Sequence, residues 1–400
     1  MNRTIKNVTI IVSLFTACLF INVNAEAAEK TIGSFCYTYE ELTQDRIWIT
    51  KIDIIKQKNI HTLRVPSKID GKKVVKIGRK EDKRDKFGDV VDSDNIFGIF
   101  LSEDSNQLEP ENILNKTRKI KNIILPETLK NMTPNCFVRV QAGKSINIPK
   151  GLTNNVLYLS RRVRWKKFDI STQNKKYKVK NGMILSKGGK KTYGFVGPGN
   201  QAVIPQGVKT LGEKTFYGAE VKSIHIPKSV NKIERDAFSY LKSVQIQIDR
   251  ANKNYGVASG CLYSKRSGRL VLGVVKEGVI KIPKGVTSVD VRTVFCGKNI
   301  VRIKFPKTMK TLGYGWDGSL CDGNYNGDKY FQGNKLELHF KGKVPPKLGN
   351  GVAFSFDSIS HVKITVPKGT KPAYKNAFRQ TLGDNVYPVM EGIEVTIQER

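Results

Sequence analysis

Apolar and polar positions alternate along this chain in short bursts that end on proline. Ser145-Ile146-Asn147-Ile148-Pro149 and Ser223-Ile224-His225-Ile226-Pro227 are two of them. Alternation with β-branched residues predicts a short strand with one buried face. Proline has no N–H to give to a ladder, so it ends the strand and turns the chain. The apolar-proline pair recurs as Val65-Pro66, Leu125-Pro126, Ile148-Pro149, Ile204-Pro205, Ile226-Pro227, Ile282-Pro283, Phe305-Pro306 and Val366-Pro367. Pro126 and Pro149 stand 23 positions apart, Pro205 and Pro227 stand 22 apart, and Pro283 and Pro306 again 23. Wider gaps of 56 separate Pro149 from Pro205 and Pro227 from Pro283. A fixed period in the twenties predicts a solenoid, in which each unit buries its apolar face against the next.

A longer period contains the short one. Lys144-Ser145-Ile146-Asn147-Ile148-Pro149-Lys150 and Lys222-Ser223-Ile224-His225-Ile226-Pro227-Lys228 lie 78 positions apart and differ at one of them. The same offset aligns Tyr177 with Tyr255, Gly182 with Gly260, Ser186 with Ser264 and Pro205 with Pro283. Each long period therefore holds two short units and an insertion. The insertions predict hairpins: Met183 to Ser186 against Thr192 to Val196 around Lys187-Gly188-Gly189-Lys190, and Cys261 to Ser264 against Arg269 to Val274. After each proline come an apolar pair and an aromatic, Val208, Leu211 and Phe216 in one unit and Val230, Ile233 and Phe238 in the next. The stretch Glu234 to Tyr240 suits one helical or 3₁₀ turn whose phenylalanine plugs the stack.

These units resemble the BspA-type leucine-rich repeat, whose pattern is roughly I-x-I-P-x-x-V-x-x-I-G-x-x-A-F. Ser223 to Tyr240 follows it closely, with Ile233-Glu234 where isoleucine-glycine is usual. Val208 to Phe216 supplies Leu211-Gly212 but has Thr215 in place of alanine. Arg64 to Gly78 resembles the usual first unit, and Val366-Pro367-Lys368-Gly369-Thr370 with Ala373-Tyr374 the usual last one. The resemblance spans about residues 35 to 390, interrupted at Arg79 to Lys119 and Gly313 to Gly333. It implies a β-rich leucine-rich-repeat solenoid: a parallel strand ladder with short helical or 3₁₀ turns and hairpin insertions. By fold-level analogy alone it implies a secreted or surface-displayed bacterial protein engaged in adhesion.

The organisation expected is a signal peptide over residues 1–25, an N-terminal cap and first repeat over 26–78, a charged insertion over 79–119, and the solenoid with its C-terminal cap over 120–400. Arg3 and Lys6 precede the apolar stretch Val8 to Val23, and Val23-Asn24-Ala25 offers a cleavage site. Cleavage after Ala27 or Ala28 fits as well. A lipoprotein box at Phe15-Thr16-Ala17-Cys18 would leave too short an apolar stretch before Cys18. No later segment is long and apolar enough to span a bilayer as a helix. The chain ends Ile397-Gln398-Glu399-Arg400 without an LPxTG sorting signal, so covalent anchoring is not expected.

Charge narrows the partners. Lysine and arginine number 69 against 35 acids, a net charge of +34. Losing residues 1–25 takes away only Arg3 and Lys6. That excess favours anionic wall polymers, sulfated glycans or acidic host surface and matrix proteins, with nucleic acid bound only non-specifically. Five cysteines remain after the signal: Cys36, Cys136, Cys261, Cys296 and Cys321. An odd number without CxxC spacing argues against a disulfide framework or a zinc ribbon, and Cys136 and Cys296, beside the repeated phenylalanine, read as core thiols.

Motifs for catalysis are missing. The histidines His61, His225, His339 and His361 have neither triad nor metal spacing, and no GxSxG, HExxH, P-loop or dinucleotide fingerprint occurs. Asp322, Asn324, Asn326 and Asp328 match the first half of an EF-hand calcium loop, but its twelfth position is Gly333, where a bidentate glutamate belongs. A glycine- and asparagine-rich turn explains that segment without metal. No cofactor is expected.

Two groups are candidates for binding. The polar position before each apolar-proline pair would stack Arg64, Asn147, His225, Lys281, Lys304 and Thr365 on one exposed face, interrupted by Ile124 and Val203. Basic residues also gather at Arg161, Arg162 and Arg164 around Trp165, which suits glycan or nucleic-acid contact, although Trp165 equally suits a core. The expected function is that of a secreted, non-catalytic, adhesin-like interaction protein presenting a basic surface. The alternatives are a structural wall-associated protein held by charge on anionic polymers and, behind it, an enzyme of unknown class.

Overall fold

The computed structural model describes residues 27–55, 60–78, 120–133, 143–154, 165–197, 199–216, 221–234, 244–274, 276–290, 294–296, 300–314, 335–348, 360–382 and 394–400, with isolated positions at 156, 219, 237, 238 and 241. The expected signal segment over 1–25 and the expected charged insertion over 79–119 lie outside them, as do Arg161, Arg162, Arg164, Cys136, Cys321 and the four calcium candidates.

The N-terminal strands form an antiparallel meander. β1 (Ala28–Ile32), β2 (Phe35–Thr43) and β3 (Arg46–Ile54) pair in order. β4 (Thr62–Arg64) leads into Val65-Pro66, after which β5 (Lys68–Ile69) and β6 (Lys72–Ile77) form a hairpin. β6 lies parallel to β3 and so joins the cap to the repeats.

The repeats then run as parallel rungs. β7 (Asn122–Ile124) pairs with β4, β8 (Asn131–Met132) with β6, β9 (Ser145–Ile148) with β7, and β10 (Lys167–Ile170) with β9. The units of β4 and β7 thus each give a second strand, β6 and β8, to the other sheet. Inward residues Leu63, Ile123, Ile146 and Phe168 are buried, as alternation requires. The prolines act where expected. The N–H three residues on donates to the proline carbonyl, as Leu129 does to Pro126 at 3.0 Å and Val286 to Pro283 at 3.0 Å.

Each insertion is a three-stranded antiparallel meander, one strand more than the sequence suggests. β11 (Tyr177–Lys180), β12 (Met183–Ser186) and β13 (Lys191–Phe195) form the first. β11 and β12 meet at Asn181-Gly182, with φ of 53° and 71°, the paired left-handed conformation of a two-residue hairpin. After it come β14 (Gln201–Val203), β15 (Thr210–Leu211), β16 (Ser223–Ile226), β17 (Lys232–Ile233) and β18 (Gln245–Ile248). β14, β16 and β18 make one parallel sheet, while β15 and β17 extend the sheet of β13. The second meander is β19 (Tyr255–Ala258), β20 (Cys261–Ser264) and β21 (Leu270–Val274).

The C-terminal part repeats the two-sheet plan with longer units. Its strands are β22 (Val279–Lys281), β23 (Ser288–Asp290), β24 (Val294–Cys296), β25 (Arg302–Phe305), β26 (Thr311–Tyr314), β27 (Lys335–Phe340), β28 (Lys347–Leu348) and β29 (His361–Val366), followed by helix α1 (Lys371–Leu382) and β30 (Glu394–Glu399). β22, β25, β27, β29 and β30 form a five-stranded parallel sheet. Gln201, Ser223 and Gln245 start rungs at a spacing of 22, and the spacings from Lys167 to Gln201 and from Gln245 to Val279 are each 34. The long period of the sequence is therefore two units of 22 and one of 34.

Aromatic stacking and two departures from the repeat pattern fix the middle of the core. Phe216 and Phe238 stack at 5.6 Å with planes 2° apart, as successive plugs should. Glu213 to Phe216 form a turn, while the helical turn expected over Glu234 to Tyr240 lies mostly outside the described residues. Thr215 stands where alanine is usual because Oγ1 donates to the Gly212 carbonyl at 2.6 Å and accepts from Thr192 Oγ1 at 2.7 Å. Glu234 stands where glycine is usual because its carboxylate pairs with Lys191 Nζ at 2.7 Å.

Candidate functional site

The outward face of the C-terminal ladder gathers the most chemistry. β-strand alternation sends Ile280, Ile303, Leu338 and Ile364 inward and their neighbours outward. Parallel register then lines up Lys281, Lys304, His339, Thr365 and Gln398 in one row across β22, β25, β27, β29 and β30. A second row holds Val279, Arg302, Glu337, Lys363 and Thr396. A third, shorter one holds Lys335, His361 and Glu394.

Both carboxylates on this face are already engaged. Glu337 Oε2 accepts from Arg302 Nε and lies 3.1 Å from His339 Nε2. The Arg302 guanidinium holds the Glu337 carboxyl below its ordinary range. Burial pushes His339 down from its ordinary value, which favours the neutral ring, while Glu337 opposes that shift. Glu394 lies 3.1 Å from His361 Nε2, and Ser360 Oγ lies 2.7 Å from His361 Nδ1. Lys281 and Lys304 are directly opposed rung to rung. Like charges so placed repel, so an anion bridging them lowers the energy of the pair.

The residues expected on one exposed face do not share one sheet. Arg64 is exposed in the first sheet, opposite Ile124, while its carbonyl accepts from Tyr37 Oη at 3.2 Å. Asn147 in β9 turns its amide on the backbone: Nδ2 donates to the Leu125 carbonyl at 2.9 Å and Oδ1 accepts from Leu125 N at 2.7 Å. His225 sits in the middle sheet between Val203 and Gln247. Only Lys281, Lys304 and Thr365 fall together in the C-terminal sheet.

Two of the candidates are buried rather than presented. Thr365 is 4% exposed between the longer His339 and Gln398, and its Oγ1 has no hydrogen-bond partner. Trp165 is 2% exposed, edge-on to Phe168 at 6.4 Å, so it is core. Its ring lies on Gly143, where an added Cβ would come within 2.1 Å of it. The charged neighbours in sequence gave it the look of a surface patch.

Sequence reasoning missed His339 and Gln398, although both stand in the row. Their strands do not end on proline: Phe340-Lys341 and Glu399-Arg400 follow them. Plain alternation in Leu336-Glu337-Leu338-His339-Phe340 was the available signal. Among the described residues no three His, Cys, Asp or Glu side chains stand close enough to hold a metal ion, and no helix is long and apolar enough to cross a membrane.

The family profile of the BspA type leucine rich repeat region matches residues 95–178 and 192–267, in 6 copies. Over those residues the chain carries BspA-type leucine-rich repeats. The matched stretches include β7, β9 and β10 and the rungs from β14 to β18, where the spacing of 22 is strictest. No curated protein matches the chain. Among the solved structures that resemble it are three bacterial proteins. A leucine rich cell surface protein from Faecalibacterium prausnitzii A2-165 is 15% identical over 92% of this chain and 95% of that one, with a TM-score of 0.38. The pneumococcal vaccine antigen PcpA is 11% identical over 93% and 99%, with a TM-score of 0.35. A leucine-rich repeat protein from Eubacterium ventriosum ATCC 27560 is 15% identical over 93% and 85%, with a TM-score of 0.33. These superpositions are loose, and the assignment to BspA-type repeats rests on the profile match and the rungs.

Proposed function

We propose that this chain is an exported, non-catalytic interaction protein whose ladders continue one another as a single solenoid. Its C-terminal ladder face meets anionic partners: sulfated glycans, wall polymers or acidic protein surfaces. The domain limits proposed are those read from the sequence, with the signal over 1–25 and the solenoid over 120–400. One observation carries the reading. Lys281 and Lys304 oppose each other on adjacent rungs with Arg302, Lys335 and Lys363 on the same face, while the carboxylates there are tied to Arg302, His339 and His361.

The test is binding of the mature protein to heparin as a sulfated glycan and to purified teichoic acid as a wall polymer, across a salt series. We expect retention that weakens as salt rises, because exposed charges are screened within about 8 Å at physiological ionic strength. K281E/K304E should lose about tenfold or more in affinity for whichever polymer binds. Equal binding by the wild type and the variant would overturn this face as the site. High salt should also release the protein from cells if wall polymers hold it, the alternative structural role.

A further inference from the structure

The two longer units, each of 34, interrupt the outer ladder. No strand pairing joins β10 to β14 or β18 to β22 among the described residues, so β18 has a partner, β16, on one side only. Gln245 N donates to the Lys222 carbonyl at 2.8 Å and Asp249 N to the Ile226 carbonyl at 3.0 Å, so these alternate residues spend their amides on β16. By the alternation of a parallel ladder, the N–H and C=O of Ile246 point to the other edge.

The two breaks are filled differently. At the first, Phe195 ends β13, and its ring comes within 3.1 Å of where a side chain on Gly182 would stand; it also packs on Phe216 at 5.9 Å. The residue 78 positions later is Gly273. Register supports the equivalence, since Ile184 opposes Gly194 as Leu262 opposes Leu272. Beside Gly260, the counterpart of Gly182, there is no ring, and a cleft of about 610 Å³ opens. Its apolar lining is Val244 and Ile246 at β18 with Val257 and Val274 of the meander, and Lys222 and Lys276 stand exposed around it. No carboxylate lines it, although Glu277 follows Lys276 in the chain.

We propose that this cleft binds an extended acidic segment of another protein, which adds a strand along the free edge of β18. The edge supplies backbone hydrogen bonds, the apolar lining receives alternate side chains, and Lys222 and Lys276 meet carboxylates on the others. The four-residue strand β18 spans about 13 Å, which sets the length read. A second copy of this chain is a poor occupant, because its net charge of +34 repels its own. The cleft lies on β18 and the second meander, so it does not depend on the Lys281 and Lys304 face.

The experiment is fluorescence anisotropy of the mature protein with a labelled hexapeptide of alternating glutamate and valine. The same peptide N-methylated at alternate residues is run beside it, with G273F and K222E/K276E as variants. Binding to the wild type is expected, with at least about a tenfold loss for the N-methylated peptide and for both variants. G273F should keep its affinity for heparin, which separates this cleft from the ladder face. No binding of the unmodified peptide overturns the proposal, and so does equal binding of the N-methylated one. Unchanged peptide affinity in a folded G273F overturns it too. If G273F does not fold by circular dichroism, the N-methylated peptide and K222E/K276E decide.

Discussion

Asn252 makes the same four hydrogen bonds as Asn174, its counterpart one long period earlier. Asn174 Nδ2 donates to the Pro149 and Leu152 carbonyls at 3.0 and 2.9 Å, and Oδ1 accepts from Lys176 N and Tyr177 N at 3.0 and 2.9 Å. Asn252 Nδ2 donates to the Pro227 and Val230 carbonyls at 3.0 and 3.1 Å, and Oδ1 accepts from Asn254 N and Tyr255 N, both at 2.9 Å. Both side chains are essentially buried. Each ties the proline turn of one unit to the first strand of the meander that follows. N252A strands the buried Val230 carbonyl and Tyr255 N–H away from water, at about 1–3 kcal/mol for each left unsatisfied, while the Pro227 carbonyl keeps Val230 N at 3.3 Å. Urea denaturation should show a loss of about 2–4 kcal/mol, and hydrogen exchange should place it at Pro227 to Tyr255, since repeat stability is local.

Gly212 faces a different constraint. A Cβ there would stand 2.1 Å from the Thr192 carbonyl oxygen, and its N–H donates to Thr192 Oγ1 at 3.0 Å. Backbone cannot step aside as a flexible side chain can. G212A should therefore destabilise by about 1–3 kcal/mol or more, by forcing β15 away from β13. Thermal unfolding of the variant checks it.

The Arg302, Glu337 and His339 group gives the face two acid responses. Glu337 has its carboxyl held down by Arg302, so the stability it contributes is present above its unfolded value near 4.5 and is lost as pH falls through the lower folded value. E337Q should lie below the wild type in stability at neutral pH and converge with it in acid. His339 is held below its unfolded value of 6.5, so protons bind the unfolded chain first as pH falls and stability declines. H339Q should show a shallower decline from about pH 7 to about pH 5 in urea titrations.

Cys261 is fully buried, and burial pushes its thiol up to about 11. Cys36 is half-buried on β2. Because the thiolate is the nucleophile, Cys261 should stay unlabelled by iodoacetamide in the folded protein at about pH 8 and react once urea is added. Peptide mapping by mass spectrometry reads the site directly.

The sequence carried much of this in plain sight. The insertion hairpins lie where glycine and alternation put them, at Met183–Ser186 with Lys191–Phe195 and at Cys261–Ser264 with Leu270–Val274. The strand ahead of each was missed: Tyr177-Lys178-Val179-Lys180 does alternate but over four residues only, and its counterpart Tyr255-Gly256-Val257-Ala258 does not alternate. Asn174 and Asn252 did share the long-period offset, but an asparagine in a polar run reads as a turn until its buried partners are known.

By itself the sequence determined the unit: a short alternating strand closed by proline, returning at intervals of 22 or 23, with an insertion in every long period. That much follows because strand alternation and proline chemistry are local. Only the tertiary structure decided which polar residues meet. His339 and Gln398 joined the row of Lys281 and Lys304 through register, while Asn147 was spent on the backbone, and Thr365 and Trp165 were buried by what packs around them. It also set the Phe195 ring beside Gly182, while Gly260, 78 positions later, lines an open cleft. Packing between units depends on side chains far apart in the chain, and no local pattern encodes it.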